Sequence, residues 1–467
     1  MGNLYNQYVT QIVNRTINLP LPKSPNMLKR IAIIAFFTGS GQLLSLFVLK
    51  YISRHSNLAQ LKSIAEIDSL VFFIMNIIAL GLQSAAMRNL AQSGNWREEY
   101  YDTQSARVTL GLLLMAGAAL YFINPYYIIF LLSPVLAWSG DYALYGRGHP
   151  IAGSMIAFVR LALPFSAVLL AALYYPDLLG WVYAISLAVI YFVTNAYISY
   201  FLGTSYIFKP SFKKLRLYIH SLPLGIVALS LYFLGLGLIL ILPYFYNQDA
   251  IITVAFLGLK FYIIFKGVLR IIHQAFLKEM TSGAICLKVD QLSILAGGLL
   301  LASTLIFPGS FITLFFGKQY VDEKLFFMLL GADALIYSLF LSFATRAMLQ
   351  KIDKQYTIIT VIAAAITIVC VMVLSAFTQS VINIAVSLAL GEITWAIGLI
   401  WLTGSRREVM DRLVFTASLL PLVLIPLAFR YWQGDTLAAY CISFGLLCVL
   451  ILFLHYRKFK TLSHVQP

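Results

Sequence analysis

The chain has 467 residues, of which 61% are hydrophobic and only 11% charged, with a formal net charge of +15. An ordinary soluble domain is roughly 25% charged, so most of this chain cannot face water and a soluble globular enzyme is excluded. The excess of positive charge suits a membrane with anionic lipids and gives little support to a nucleic-acid partner.

Taken from the N-terminus, the first 30 residues are polar and broken by Pro20, Pro22 and Pro25. They lack the apolar core of a cleavable signal, so the first hydrophobic run is expected to direct insertion. Apolar runs of about 20 residues then recur, the length a helix needs to cross the hydrocarbon core. Period-two alternation is absent, and an open sheet would leave backbone groups unpaired in lipid. The expected fold is therefore all-α, a polytopic transmembrane bundle with spans near 31–52, 67–87, 108–123, 126–145, 151–174, 178–202, 219–243, 250–276, 290–316, 325–348, 357–377, 380–403, 412–430 and 435–455.

Basic residues fall mostly on alternate loops, on the side of the N-terminus: Lys29, Arg88, Arg107, Arg147, Lys213, Lys278, Lys351, Arg406, Arg412 and Arg457 are among them. The other side holds Lys50, Arg54, Lys62, Lys318, Lys324 and Arg430. The excess marks the cytoplasmic side and predicts cytoplasmic N- and C-termini.

Two halves are expected, 31–205 and 219–403, joined by a basic cytoplasmic linker at 206–218. Residues 1–30 form an N-terminal cytoplasmic segment, 412–455 two further helices, and 456–467 a cytoplasmic tail. Ser93-Gly94 and Ser282-Gly283 follow the second spans of the two halves, which suggests two six-helix repeats plus two trailing helices. Such duplication places cargo at the repeat interface near mid-membrane. The four cysteines, Cys286, Cys370, Cys441 and Cys448, show no metal-ligand spacing, and the last two, seven apart on a helix, are expected to pack as small apolar residues.

Cations inside the spans need an explanation. Arg160 lies in the fifth, and Lys260, Lys266 and Arg270 share the eighth with His273 and Gln274, mostly along one stripe. Each would cost roughly 2.5–3.5 kcal/mol if it faced lipid at a helix centre. They are expected either to line a cavity as anion ligands or to pair with buried acids such as Asp141, Asp333 and Glu392. An arginine can hold phosphate bidentately, whereas a lysine follows a moving anion as a point charge. Asp333 and Glu392 are also candidates for binding H+ or Na+ and coupling transport to an ion gradient. Asp68, near the outer end of its span, is expected to be solvated. Gln42, Asn76 and Gln83 are candidate sugar contacts, with helix–helix hydrogen bonding as the competing reading. No catalytic grouping, phosphate-cradling glycine loop or Cys/His metal cluster stands out in the sequence.

The segments Gly81-Leu82-Gln83-Ser84-Ala85-Ala86-Met87-Arg88-Asn89-Leu90-Ala91 and Ser221-Leu222-Pro223-Leu224-Gly225, with Gly41 to Ser45 and Asp141 to Arg147, carry a resemblance. The chain resembles the polysaccharide and O-antigen flippases of the multidrug/oligosaccharidyl-lipid/polysaccharide exporter superfamily. The resemblance implies a flippase that moves an undecaprenyl-pyrophosphate-linked oligosaccharide across the bacterial inner membrane by alternating access, with a polysaccharide polymerase and a chain-length regulator as partners. Asn89 stands where lipid II flippases usually carry a second arginine, which points away from them. The rival readings are a cation-coupled drug exporter of the same superfamily and a membrane enzyme of polysaccharide assembly. The latter class usually displays a large outer loop, which is not expected here.

Overall fold

The computed structural model describes residues 27–55, 58–92, 95–275, 283–350 and 352–463. Its α-helices are α1 (Met27–His55), α2 (Leu58–Ala79), α3 (Leu82–Gln92), α4 (Trp96–Leu114), α5 (Ser133–Ala137), α6 (Asp141–Gly146), α7 (Pro150–Tyr174), α8 (Leu179–Leu202) and α9 (Leu217–Phe233). They continue with α10 (Asp249–Ala275), α11 (Gly283–Ile306), α12 (Pro308–Phe315), α13 (Lys324–Leu349), α14 (Asp353–Phe377), α15 (Ile382–Thr403), α16 (Arg406–Gln433) and α17 (Leu437–Ser463). Eleven helices among the described residues are long and apolar enough to cross a membrane, and they fall on the third to thirteenth expected spans. The first, second and fourteenth are occupied by α1, by α2 with α3, and by α17. The chain is thus an all-α polytopic bundle.

Local chemistry sets several of the boundaries. Asn124 accepts the Tyr126 N–H at 2.9 Å and Pro125 opens the 3-10 helix that leads into α5. Ser405 and Glu408 close a reciprocal capping box at the start of α16, and Gly203, at φ 60°, ends α8. Between α2 and α3 the crossing is interrupted at Leu80 and Gly81, whose φ values are 28° and 75°. A side chain on Gly81 would lie 2.3 Å from the Ser221 carbonyl, and one on Gly225 2.4 Å from the Leu80 carbonyl carbon. These two glycines let α9 touch the break directly.

The helix pairings repeat between the halves. α1 packs on α7 as α9 packs on α14; α7 on α8 as α14 on α15; α4 on α5 as α11 on α13. The cross-contacts α2–α9 and α10–α1 exchange in the same way, so the seam between halves is formed by α1 and α2 of one and α9 and α10 of the other. One continuous buried apolar cluster runs through both. The last two helices pack on each other and on α11. They are fixed at one end by the Arg412–Asp290 pair and at the other by Asp435, which accepts the Gly309 and Ser310 N–H groups at the start of α12.

Some expectations need correction. Cys441 and Cys448 are exposed on α17, because they lie on the face turned away from the bundle. Arg107 and Arg412, read above as loop residues, lie inside α4 and α16 and are 3% and 2% exposed. Both helices run past the hydrophobic segment that defines them in sequence. Ser93, Gly94, Ser282 and Lys278 lie outside the described residues, as do the side chains of Arg88, Gln274 and Cys286 and most of the N-terminal segment.

Candidate functional site

Polar residues inside the bundle gather into groups centred on the cations. In the first half, the Arg160 guanidinium on α7 donates to Thr194 Oγ1 at 2.9 Å, Ser139 Oγ at 3.0 Å and Asn195 Oδ1 at 2.6 Å. Asp141 stands 3.7 Å away and the Tyr191 ring lies under the guanidinium at 4.5 Å. Every nitrogen of Arg160 has a partner, which is what a 7%-exposed guanidinium in low dielectric requires.

Lys260 bridges the halves. From α10 its ammonium donates to Asp68 Oδ2 on α2 at 2.5 Å, while the Tyr183 hydroxyl of α8 donates to Asp68 Oδ1 at 2.5 Å. The Phe72 and Phe165 rings lie about the ammonium at 5.0 and 5.6 Å. Asp68 is 1% exposed, so the expectation that it is solvated is wrong: it is the counter-ion of a cation supplied by the other half. The same seam is closed toward the α2–α10 turn end by Lys62 and Asp249 at 2.7 Å, by the Tyr127 and Tyr244 hydroxyls at 2.7 Å, and by the Tyr232 hydroxyl donating to the Ser69 carbonyl at 2.5 Å.

The third group lies within the second half. Lys266 donates to Glu392 Oε1 on α15 and, at 3.0 Å, to the Leu234 carbonyl, and the Tyr262 hydroxyl donates to Glu392 Oε1 at 3.1 Å. The Tyr262 and Tyr337 rings flank the ammonium at 4.3 and 4.7 Å, and Tyr337 stacks on Trp395. Asp333, on the same helix as Tyr337, is fully buried, and neither of its carboxyl oxygens has a hydrogen-bond partner among the described residues. Glu392 Oε2 is also unpartnered. With one lysine and two carboxyls, this group has room for one more positive charge.

Arg270 stands apart. It is exposed, near the end of α10 beside Tyr337, and no carboxylate lies within ion-pair distance of it among the described residues. Of the sugar-contact candidates, Asn76 donates to the Phe72 carbonyl of its own helix at 2.8 Å, and Gln42 and Gln83 are half-buried. The structure therefore brings Lys266, Glu392 and Asp333 together, joins Lys260 to Asp68, and keeps Arg160 in a separate group.

Two buried features escape the sequence reading. Asp290 pairs with Arg412 and accepts from Ser342 Oγ at 2.8 Å, while His273 shares a 2.9 Å hydrogen bond with Ser293 beside it. Asp290, an acid inside an apolar run, was the available signal for the first. The second is Arg107, over the Tyr142 ring at 5.1 Å, with its Nε and one terminal nitrogen unpartnered. The only clue to it is that α4 begins with Trp96, eleven positions earlier and well before the apolar run.

No family model matches the chain, and no curated protein does. Solved structures do, and what they share with this chain is a fold; among them are transporters of the MOP superfamily. The lipid II flippase MurJ in an inward closed conformation is 14% identical, with a TM-score of 0.67 over 92% of this chain and 99% of that one. An inward-facing MATE multidrug resistance transporter is 13% identical, with a TM-score of 0.57 over 81% and 99%. A MOP superfamily transporter from Pyrococcus furiosus, described as having a binding pocket of reversed polarity, is 14% identical, with a TM-score of 0.50 over 84% and 96%. At these identities the likeness concerns the fold.

Proposed function

We propose that this chain is a transporter that flips an undecaprenyl-pyrophosphate-linked oligosaccharide, an O-antigen or other surface-polysaccharide unit, across the bacterial inner membrane by alternating access, with its basic side and both termini in the cytoplasm. The observation that carries the reading is Arg270, an exposed cation in α10 with no acid beside it among the described residues. A guanidinium in that position can take a phosphate bidentately as cargo enters.

Lys260 then acts deeper. Asp68 and the cargo pyrophosphate compete for one ammonium, and because Asp68 belongs to the other half, handing Lys260 to the cargo releases a tie across the seam. Exposed Leu43 and Phe47 on α1 offer an apolar flank along which the lipid tail remains in the bilayer. Asp333 and Glu392 supply the coupling site, taking up H+ or Na+ where the carboxyl oxygens lack partners. A polysaccharide polymerase and a chain-length regulator are the partners that such a product requires.

The test is complementation of a flippase-null strain. Arg270→Ala is expected to insert normally and lose most surface glycan, with Arg270→Lys intermediate, whereas Lys260→Ala should lose glycan together with stability because Asp68 is left unpaired; full restoration by Arg270→Ala would sink the cargo role. Asp333→Asn should abolish the dependence of flipping on the ion gradient. The second reading, a cation-coupled drug exporter, is favoured by the spare buried carboxyl of Asp333. Drug resistance conferred by the chain, with no glycan restored, would select it.

A further inference from the structure

The fold contains two buried arginines in its first half and treats them differently. Arg160 has an acceptor for each nitrogen. Arg107, at 3% exposure, has none for Nε or for one terminal nitrogen among the described residues. The polar groups around it are already engaged. Gln104 donates to the Trp138 carbonyl at 2.8 Å and accepts from the Tyr142 hydroxyl at 3.3 Å. The Tyr218 hydroxyl donates to the Ile78 carbonyl at 2.6 Å, and Asp141 accepts from Ser139 at 2.7 Å on its way to Arg160. Tyr142, Tyr100, Tyr218 and Asp141 all lie within electrostatic range of Arg107, yet none gives it an acceptor. The Tyr142 ring under the guanidinium offsets part of its burial, but two nitrogens without acceptors are costly, and the acceptors that the chain supplies to Arg160 are withheld here.

We propose that Arg107 is the centre of an anion site, separate from the α10 cations, that takes a phosphate oxyanion of a lipid. Its depth fits. From Arg107 the crossing rises α-helically to Leu114 and as a 3-10 helix to Phe122, about 26 Å in all, close to the ~30 Å of a hydrocarbon core. With the 95%-exposed Phe122 taken as the opposite edge of the crossing, that length places Arg107 near the phosphate layer of the basic side. Planar donors at that depth match two phosphate oxygens. Tyr218, on α9 of the second half, is buried in one cluster with Ala106 beside the site and donates a hydrogen bond to the Ile78 carbonyl of the first half, so relative movement of the halves would change the cover beside Arg107. Two lipids present this chemistry: a polyprenyl pyrophosphate, which rests on the flippase reading, and an anionic phospholipid, which does not.

The experiment uses purified full-length protein in phosphatidylcholine nanodiscs, titrated separately with undecaprenyl pyrophosphate and with phosphatidylglycerol, retention being read by native mass spectrometry. Arg107→Gln is expected to weaken retention of one of these lipids about tenfold, with Arg107→Lys intermediate. Arg97→Gln, an exposed cation at the start of the same helix, should change neither. Loss of pyrophosphate retention identifies the site with cargo; loss of phosphatidylglycerol retention alone identifies it with a resident lipid and stands even if complementation fails. If Arg107→Gln retains both lipids like the parent, or Arg97→Gln weakens them equally, the proposal is overturned. Should Arg107→Gln not fold, Arg107→Lys decides: weaker retention at an unchanged melting temperature supports the site, and unchanged retention of both lipids overturns it.

Discussion

At the scale of single residues, the Lys260–Asp68 pair has the sharpest consequence. Its side chains are 3% and 2% exposed, so removing either partner strands a charge in low dielectric. Asp68→Ala or Lys260→Met alone is expected to cost about 3–5 kcal/mol, while the double variant recovers most of the loss. Thermal unfolding of the three proteins in one detergent checks this; additive losses would mean that the pair is not a unit. Part of this was legible in the sequence. Lys260, Lys266 and Arg160 stand out because an apolar run cannot hide a cation, and acid pairing was one of the two readings open for them. Their partners were less legible, since Asp68 lies 192 residues from Lys260 and near a span end, where sequence position alone suggests contact with water. Arg107 and Arg412 were missed for a related reason: hydropathy marks where lipid contact begins, whereas a helix buried by neighbours can continue beyond it.

Among the elements, the break between α2 and α3 is the most constrained. Gly81 holds a left-handed backbone that disfavours a side chain, and a Cβ there would also meet the Ser221 carbonyl. Gly81→Ala is therefore expected to cost about 2–4 kcal/mol, more than the about 1 kcal/mol of an ordinary substitution. Gly225→Ala should behave similarly, through contact with Leu80 rather than through backbone strain. Yield of monodisperse protein and its melting temperature measure both, and a neutral Gly81→Ala would show that the two helices do not meet as described. The two segments most like the flippases, Gly81 to Ala91 and Ser221 to Gly225, pack against one another here, with Ser221 Oγ donating to the Leu80 carbonyl at 3.3 Å. The sequence showed each as a pattern; the close approach that links them depends on the absence of two side chains and is visible only once the helices are docked.

For the whole molecule, the seam between halves is the moving part under the proposed function, and Lys62 with Asp249 marks where it is closed. Cysteines placed at both positions in a cysteine-free background and joined by a short bis-maleimide should hold the halves together and stop flipping, with recovery when a cleavable linker is cut. Undiminished flipping by the linked protein would show that this part of the seam need not open. The spans and their order were readable because lipid imposes a length and a composition on every crossing. The seam was not, because it depends on which helix faces which, and apolar helices of similar length say little about that.

The two ion pairs that tie this seam differ in their contact with the medium. Lys62 and Asp249 keep 27% and 42% of their side-chain surface open, whereas Lys260 and Asp68 are sealed. Mobile ions at about 1 M shorten electrostatic reach to roughly 3 Å in water but do not enter a dry interior. Salt should therefore loosen the outer clasp and leave the inner one intact, so that ionic strength separates two steps of opening that a mutation at either position would blur together.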